Sequence, residues 1–236
     1  MFRAKSDPAL EVQGRLLPIM VRRHQQSRGY RLRYDALAGA LRLTMPMRGA
    51  ERDAIAWART QHGWVATQMA RQPQVRRLAP DESFPFEGID RRILWDRAYP
   101  RLPQLTDDSL ILGGLEESVG ARVLRWLRAH ALEVLTTETH EFAAREGLVV
   151  SSVRVADPRS RWGSCAHDGS IRYSWRLIFA PSFVRRATVA HEVAHLLHMD
   201  HSPAFHRAHA RLLGEDPAPA RQWLRAHGAT LHHFTA

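Results

Sequence analysis

Apolar and polar positions along this chain of 236 residues change period several times, and each change predicts a different element. From about residue 14 to 47 the pattern is strand-like. Tyr30-Arg31-Leu32-Arg33-Tyr34 and Leu41-Arg42-Leu43-Thr44-Met45 alternate apolar with polar, as two half-buried strands do. The intervening Asp35-Ala36-Leu37-Ala38-Gly39 suits a hairpin connection, and Pro46 closes the second strand. Residues 1–13 read as a loose polar start. Between 50 and 72 the period becomes helical, which predicts one helix with Trp57 and Trp64 on a common face near Ile55, Ala58 and Met69. Gly63 weakens that helix. Pro73, Pro80 and Pro85 then mark residues 73–88 as a linker or extended loop.

Short strands are predicted at Arg92–Trp95 and Ser109–Leu112, with a break at Gly113-Gly114. A long amphipathic helix follows over residues 116–146. Val119, Val123, Leu124, Trp126, Leu127, Ala131, Leu132 and Leu135 recur at helical spacing, and Gly147 ends the run. Leu148–Val155 and Ile171–Ile178 read as strands flanking Ser160-Arg161-Trp162-Gly163-Ser164-Cys165. A helix from Pro181-Ser182, with Ser182 as N-cap, is predicted to run to about Met199. Another starts at Ser202-Pro203, where serine caps and proline fills the first turn, and ends at Gly214. A last one covers residues 218–227. The chain therefore reads as α+β in two parts. Residues 1–115 form a β-rich extension with one helix, and residues 116–236 form the domain that carries the chemistry.

That chemistry is concentrated in His191-Glu192-Val193-Ala194-His195, an HExxH sequence on the predicted helix. Residues four apart share a helix face, so His191 and His195 can aim two imidazoles at one metal ion. Glu192 lies beside them, where a carboxylate can take a proton from an activated water. Three protein ligands and an open fourth position are what catalytic zinc requires. The best third ligand is His201. Six residues turn an ideal helix by about 240°, so His201 can join His195 only where the chain turns back. Asp200 and the new start at Ser202-Pro203 supply that turn. His198, His206, His209 and Glu215 remain alternative ligands. Six of the 14 histidines lie between 191 and 209, so a histidine-rich helix without metal is the plain alternative. A closed structural site with Cys165 as fourth ligand is another, though it leaves Glu192 without a purpose. His140-Glu141 is an internal control, since residue 144 is alanine and no second histidine follows.

Composition changes this picture little. The single cysteine, Cys165, excludes an intramolecular disulfide and suits a reducing compartment. No apolar run reaches the roughly 18–20 residues of a membrane span. The apolar patch Leu16–Val21 is short and broken by Pro18, unlike a signal peptide, so a cytoplasmic location is expected. The net charge of +10 raises nucleic acid as a partner. However, the basic residues are scattered arginine pairs such as Arg22-Arg23 and Arg185-Arg186, with no helix-turn-helix and no cysteine-based finger.

Taken together, Arg161-Trp162-Gly163-Ser164-Cys165, Trp175-Arg176-Leu177-Ile178, Ala180-Pro181, the HExxH segment and His201-Ser202-Pro203-Ala204-Phe205 closely resemble the YgjP-like metallopeptidases. These are similar in turn to the SprT and WLM-type zinc peptidases. The resemblance implies one zinc ion at His191, His195 and His201, with Glu192 as general base. It also implies a minimal zincin-like core of long helix, small sheet and HExxH helix, with an N-terminal hairpin and helix extension. Protein or peptide substrates follow from it. An alternative, a nucleic-acid-associated protein or DNA-linked protease, follows from the SprT and WLM likeness. Arg161, Tyr173 and His206 are the candidates, in that order, for a donor to the tetrahedral oxyanion. Ser174 and His206 depart from the asparagine and tryptophan common in relatives, which bears on substrate preference rather than on metal.

Overall fold

The computed structural model describes residues 8–35, 38–71 and 76–236. The chain divides into two compact units, Met1–Val75 and Arg76–Ala236. The division falls well before the expected boundary at 115. The strands between 76 and 112 belong with the second unit, because Ile93, Leu110 and Leu112 are buried in the same core as Val123 and Leu127 of the long helix.

In the first unit, β1 (Ala9–Val12), β2 (Arg15–His24), β3 (Arg31–Asp35) and β4 (Ala40–Pro46) form one sheet in the order β1-β2-β4-β3. The predicted hairpin is present: β3 and β4 pair antiparallel with Leu32 opposite Leu43 and Asp35 opposite Ala40. Ala36 and Leu37 of its connection lie outside the described residues. Residues 9–12, expected to be loose, pair with β2 instead. Alternation puts Leu17, Ile19, Leu41, Leu43 and Met45 on one face, where they pack with Ala54, Ala58 and Val65. Those last three come from two helices, α1 (Glu51–Arg59) and α2 (His62–Arg71), rather than one. The break is at Thr60, whose hydroxyl donates back to the Trp57 carbonyl at 2.7 Å. The two tryptophans consequently do not share a helix face. Trp57 packs on Tyr30, while Trp64 is 40% exposed.

The second unit opens with β5 (Arg76–Arg77), β6 (Ser83–Phe86), β7 (Ile89–Trp95), β8 (Gln104–Leu105) and β9 (Ser109–Leu112), so the expected linker contains short strands. The last four form a sheet ordered β6-β7-β9-β8. The helix α3 (Val119–Arg145) follows as the periodicity predicts, burying Val119, Val123, Leu127, Ala131, Leu135 and Phe142 along one stripe. It stops at Gly147, whose φ of 63° suits a residue without a Cβ. Next come β10 (Ser152–Ala156), β11 (Gly163–Cys165) and β12 (Ser170–Ser174), with β12 in the centre, parallel to β10 and antiparallel to β11.

The expected strand over 171–178 ends at Ser174. Trp175–Phe179 coil into a tight 3₁₀ turn in which all five side chains are buried. The Ser174 hydroxyl accepts from the Arg176 amide at 3.4 Å and starts the turn. Helices α4 (Ser182–Ala194), α5 (Pro203–Leu213) and α6 (Ala218–Leu231) complete the unit, and β13 (Phe234–Thr235) pairs with β5. Among the described residues no helix is long and apolar enough to cross a membrane.

Candidate metal centre

The site is built by α4, by the turn after it and by the start of α5. Helix α4 buries Val184, Ala187, Val189, Ala190 and Val193, and it presents His191 and His195 on an adjoining stripe. Its N-cap is Pro181, not Ser182, and no side chain caps it. The helix ends at Ala194 with His195 as C-cap, several residues before the expected end near Met199. Nothing local in Leu196–Met199 forbids helix. The chain leaves it because the His198 carbonyl turns toward the His195 ring and Asp200 accepts the Ser202 amide at 3.2 Å. The Ser202 hydroxyl then accepts from the Phe205 amide, with Pro203 in the first turn, and α5 starts as predicted.

This reversal returns His201 to the two helical histidines. One ligand atom from each of His191, His195 and His201 lies within 4.8 Å of the others. The Nε2 atoms of His191 and His201 face each other at 3.3 Å. Zinc–nitrogen bonds of about 2.0–2.1 Å in tetrahedral geometry separate two ligand nitrogens by about 3.3 Å, so the spacing of this pair suits a zinc-sized ion. His195 is oriented for the same task. A carbonyl can only accept, so its Nδ1–H donates to the His198 carbonyl at 3.0 Å, which leaves Nε2 as a lone-pair donor.

The surroundings hold the three rings in place and favour the neutral form of His191 and His195. Phe205 is fully buried, with its ring 4.8 Å from those of His191 and His201 and 4.5 Å from that of His195. Burial first, and then the neighbouring histidines 209, 195, 201 and 206, push His191 down to about 3. Burial also lowers His195. Of the alternative ligands, His209 is committed elsewhere: its Nε2–H donates to the Ala187 carbonyl at 3.0 Å and ties α5 to α4. His206 is exposed, with its ring 6.4 Å from that of His201.

Glu192 is only 5% exposed, and burial pushes its carboxyl up to about 7 against the lowering charge of Arg161. The strand β11 passes directly over it. A Cβ at position 163 would overlap the Glu192 carboxylate, so glycine is the residue that permits this approach. The functional weight of Gly163 was missed in the sequence, although a glycine inside a strand pattern signals close backbone approach.

The other proposed residues separate. Arg161 is exposed and lines a cleft of about 280 Å³ together with His191 and Glu192. Trp162, Ala187, Ala220 and Leu224 give that cleft apolar walls, and of these only Trp162 belonged to a motif read from the sequence. Tyr173 does not face it. Its side chain is fully buried and its hydroxyl lies 3.0 Å from that of Thr139, so it belongs to the core. Ser174 caps the 3₁₀ turn from a buried position and does not border the cleft. Cys165 is half-buried, and burial first, then Glu192 and Asp168, pushes its thiol up to about 11, which suits neither a nucleophile nor a metal ligand. Within the sheet β12 is central, and the edge strand that borders Glu192 is β11.

Compared with known proteins, residues 30–227 match the family model described as YgjP-like, metallopeptidase domain. No curated protein and no solved structure matches.

Proposed function

This chain belongs to the YgjP-like family of metallopeptidases, and from that premise we propose a zinc-dependent peptidase that cleaves peptide bonds with Glu192 as general base. The observation that carries this reading is the convergence of three imidazole nitrogens within 4.8 Å beside a buried carboxylate. His191, His195 and His201 would hold about one ion per chain and leave a fourth position for water or substrate. When bound, the ion supplies Lewis acidity toward water and the peptide carbonyl.

The remaining work falls to side chains. Glu192, raised to about 7, is basic enough to accept the proton of the attacking water and acidic enough to pass it to the leaving amine. Arg161 is the preferred donor to the developing oxyanion, because it lines the cleft with Glu192 and already acts on its charge. The free edge of β11 can pair with an extended peptide, and the apolar walls of the cleft suit an apolar side chain next to the cleaved bond. Helices α3 and α4 with the three-stranded sheet would form the minimal zincin-like core that this reading requires. The lone thiol of Cys165 suits a cytoplasmic setting.

The test is the Glu192→Gln variant. Metal analysis should still find about one zinc per chain, while hydrolysis of an unfolded protein such as casein falls by a factor of about 10²–10⁴. Retained turnover would reject Glu192 as the base.

A further inference from the structure

Next to the cleft, the outer face of the three-stranded sheet carries a second, larger depression of about 570 Å³. Its floor is set by strand register. Arg154 of β10 is the partner of Arg172 in β12, and Arg172 is the partner of Ser164 in β11, so the three side chains form one row across the sheet. Ser152 and Ser170 pair in the same way two residues earlier and form a second row. The interleaved Ile171 and Tyr173 point to the core, so the period of two sends this polar set outward. Arg161 lines both this groove and the cleft beside Glu192, and so joins the two.

The charge of the groove is unbalanced. Arg154, Arg161 and Arg172 line it against one carboxylate, Asp168, which accepts the Ser170 amide at 2.9 Å and feels the charge of Arg154. Among the described residues none of the three guanidiniums has a carboxylate within salt-bridge distance. In contrast, Arg176, Arg185, Arg186 and Arg211 of the same unit are all paired. Like charges side by side on adjacent strands repel, and a bound anion relieves that cost.

We propose that this groove is a substrate subsite for acidic side chains, so that the preferred substrates carry Asp or Glu a few residues from the cleaved bond. The inference rests on the peptidase reading and deepens it. A peptide laid along β11 passes from Glu192 at Gly163 to Ser164 and Cys165, and a long acidic side chain on the outer face of the sheet would reach across Ser164 toward the Arg172 guanidinium, with Arg154 next in the row. Guanidinium forks and serine hydroxyls are suited to carboxylates. A single-stranded nucleic acid is the weaker occupant, because among the described residues no aromatic side chain lines the groove to stack a base.

Binding can be measured apart from catalysis in the full-length, zinc-loaded Glu192→Gln protein. The probes are a fluorescein-labelled peptide with a short run of glutamates and the same peptide with glutamines instead. The glutamate peptide should bind about tenfold tighter at low salt, with the difference shrinking as salt rises. The preference should vanish in Arg154→Gln/Arg172→Gln and largely survive in Arg172→Lys, with circular dichroism confirming that each variant is folded. Equal binding of the two peptides, or a preference untouched by the double substitution, would overturn the proposal. So would an oligonucleotide of matched charge that displaces the peptide and binds tighter. Cleavage by the wild type is scored separately. Loss of the peptidase reading would show as no hydrolysis of either peptide, whatever the binding result.

Discussion

Among single residues, the pair His191 and His195 was the most legible, because helix period alone puts residues four apart on one face, with Glu192 as the next residue along the chain. His201 followed from the turn chemistry at Asp200 and Ser202-Pro203. Replacing His201 with alanine should sharply reduce zinc retained through gel filtration, and unchanged metal content would move the third ligand elsewhere. Gly163 makes a separate prediction. Its lack of a Cβ is what admits the Glu192 carboxylate, so Gly163→Ala should displace the proposed base and lower kcat by roughly 10²-fold with zinc content unchanged. Steady-state kinetics with metal analysis would check it. Tyr173 shares the apolar face of its strand with Ile171, as the alternation Ser170-Ile171-Arg172-Tyr173 implies, and its hydroxyl meets Thr139 in the core rather than the cleft.

At the scale of elements, starts and stops were readable where side chains enforce them. Helix α5 begins at Ser202-Pro203 and ends at Gly214, whose φ is 82°. Helix α4 has no comparable stop, and its early end reflects the His195–His198 contact. The seat of α4 on α3 rests on an ion pair that spacing could not reveal. The Arg185 guanidinium donates to both oxygens of Glu138 at 2.9–3.1 Å, with side-chain exposures of only 6% and 8%. Glu87, at the turn between β6 and β7, accepts from the same guanidinium at 2.6 Å. Removing one partner leaves a buried charge, so Glu138→Ala should destabilise by about 3–5 kcal/mol in denaturant unfolding. His140-Glu141, the control sequence, is an ordinary helix face: Glu141 pairs with Arg145 and Arg186.

For the whole molecule, the predicted α+β class is present, while the unit boundary moved from 115 to 75 because strands distant in sequence share one core. Two predictions belong here. Stripping metal with a chelator should lower the melting temperature of the second unit, since an ion held a thousandfold below its free concentration adds about 4 kcal/mol to the folded state. Acid should weaken the C-terminal closure. Burial raises the Asp157 carboxyl, but the Arg176 hydrogen bonds and charge outweigh it and hold it below its ordinary value of 3.8. Arg176 also donates to the Leu231 and Phe234 carbonyls, so this pair helps fasten the chain end. A carboxyl depressed in the folded state contributes stability that is full above its unfolded pKa of about 4 and lost as pH falls through the folded value. Asp157→Asn should therefore cost stability at pH 7, and its gap from the wild type should close toward pH 3 in thermal melts.

The chain by itself determined what local physics can encode: the periods of strands and helices, the caps of α5, and two imidazoles four residues apart on one helical stripe with a carboxylate beside the first. The tertiary structure alone decided where α4 stops, that Gly163 lies against Glu192 and that three arginines share a groove with a single acid, Asp168. Those outcomes depend on contacts between residues far apart in the chain, and no local pattern carries that information.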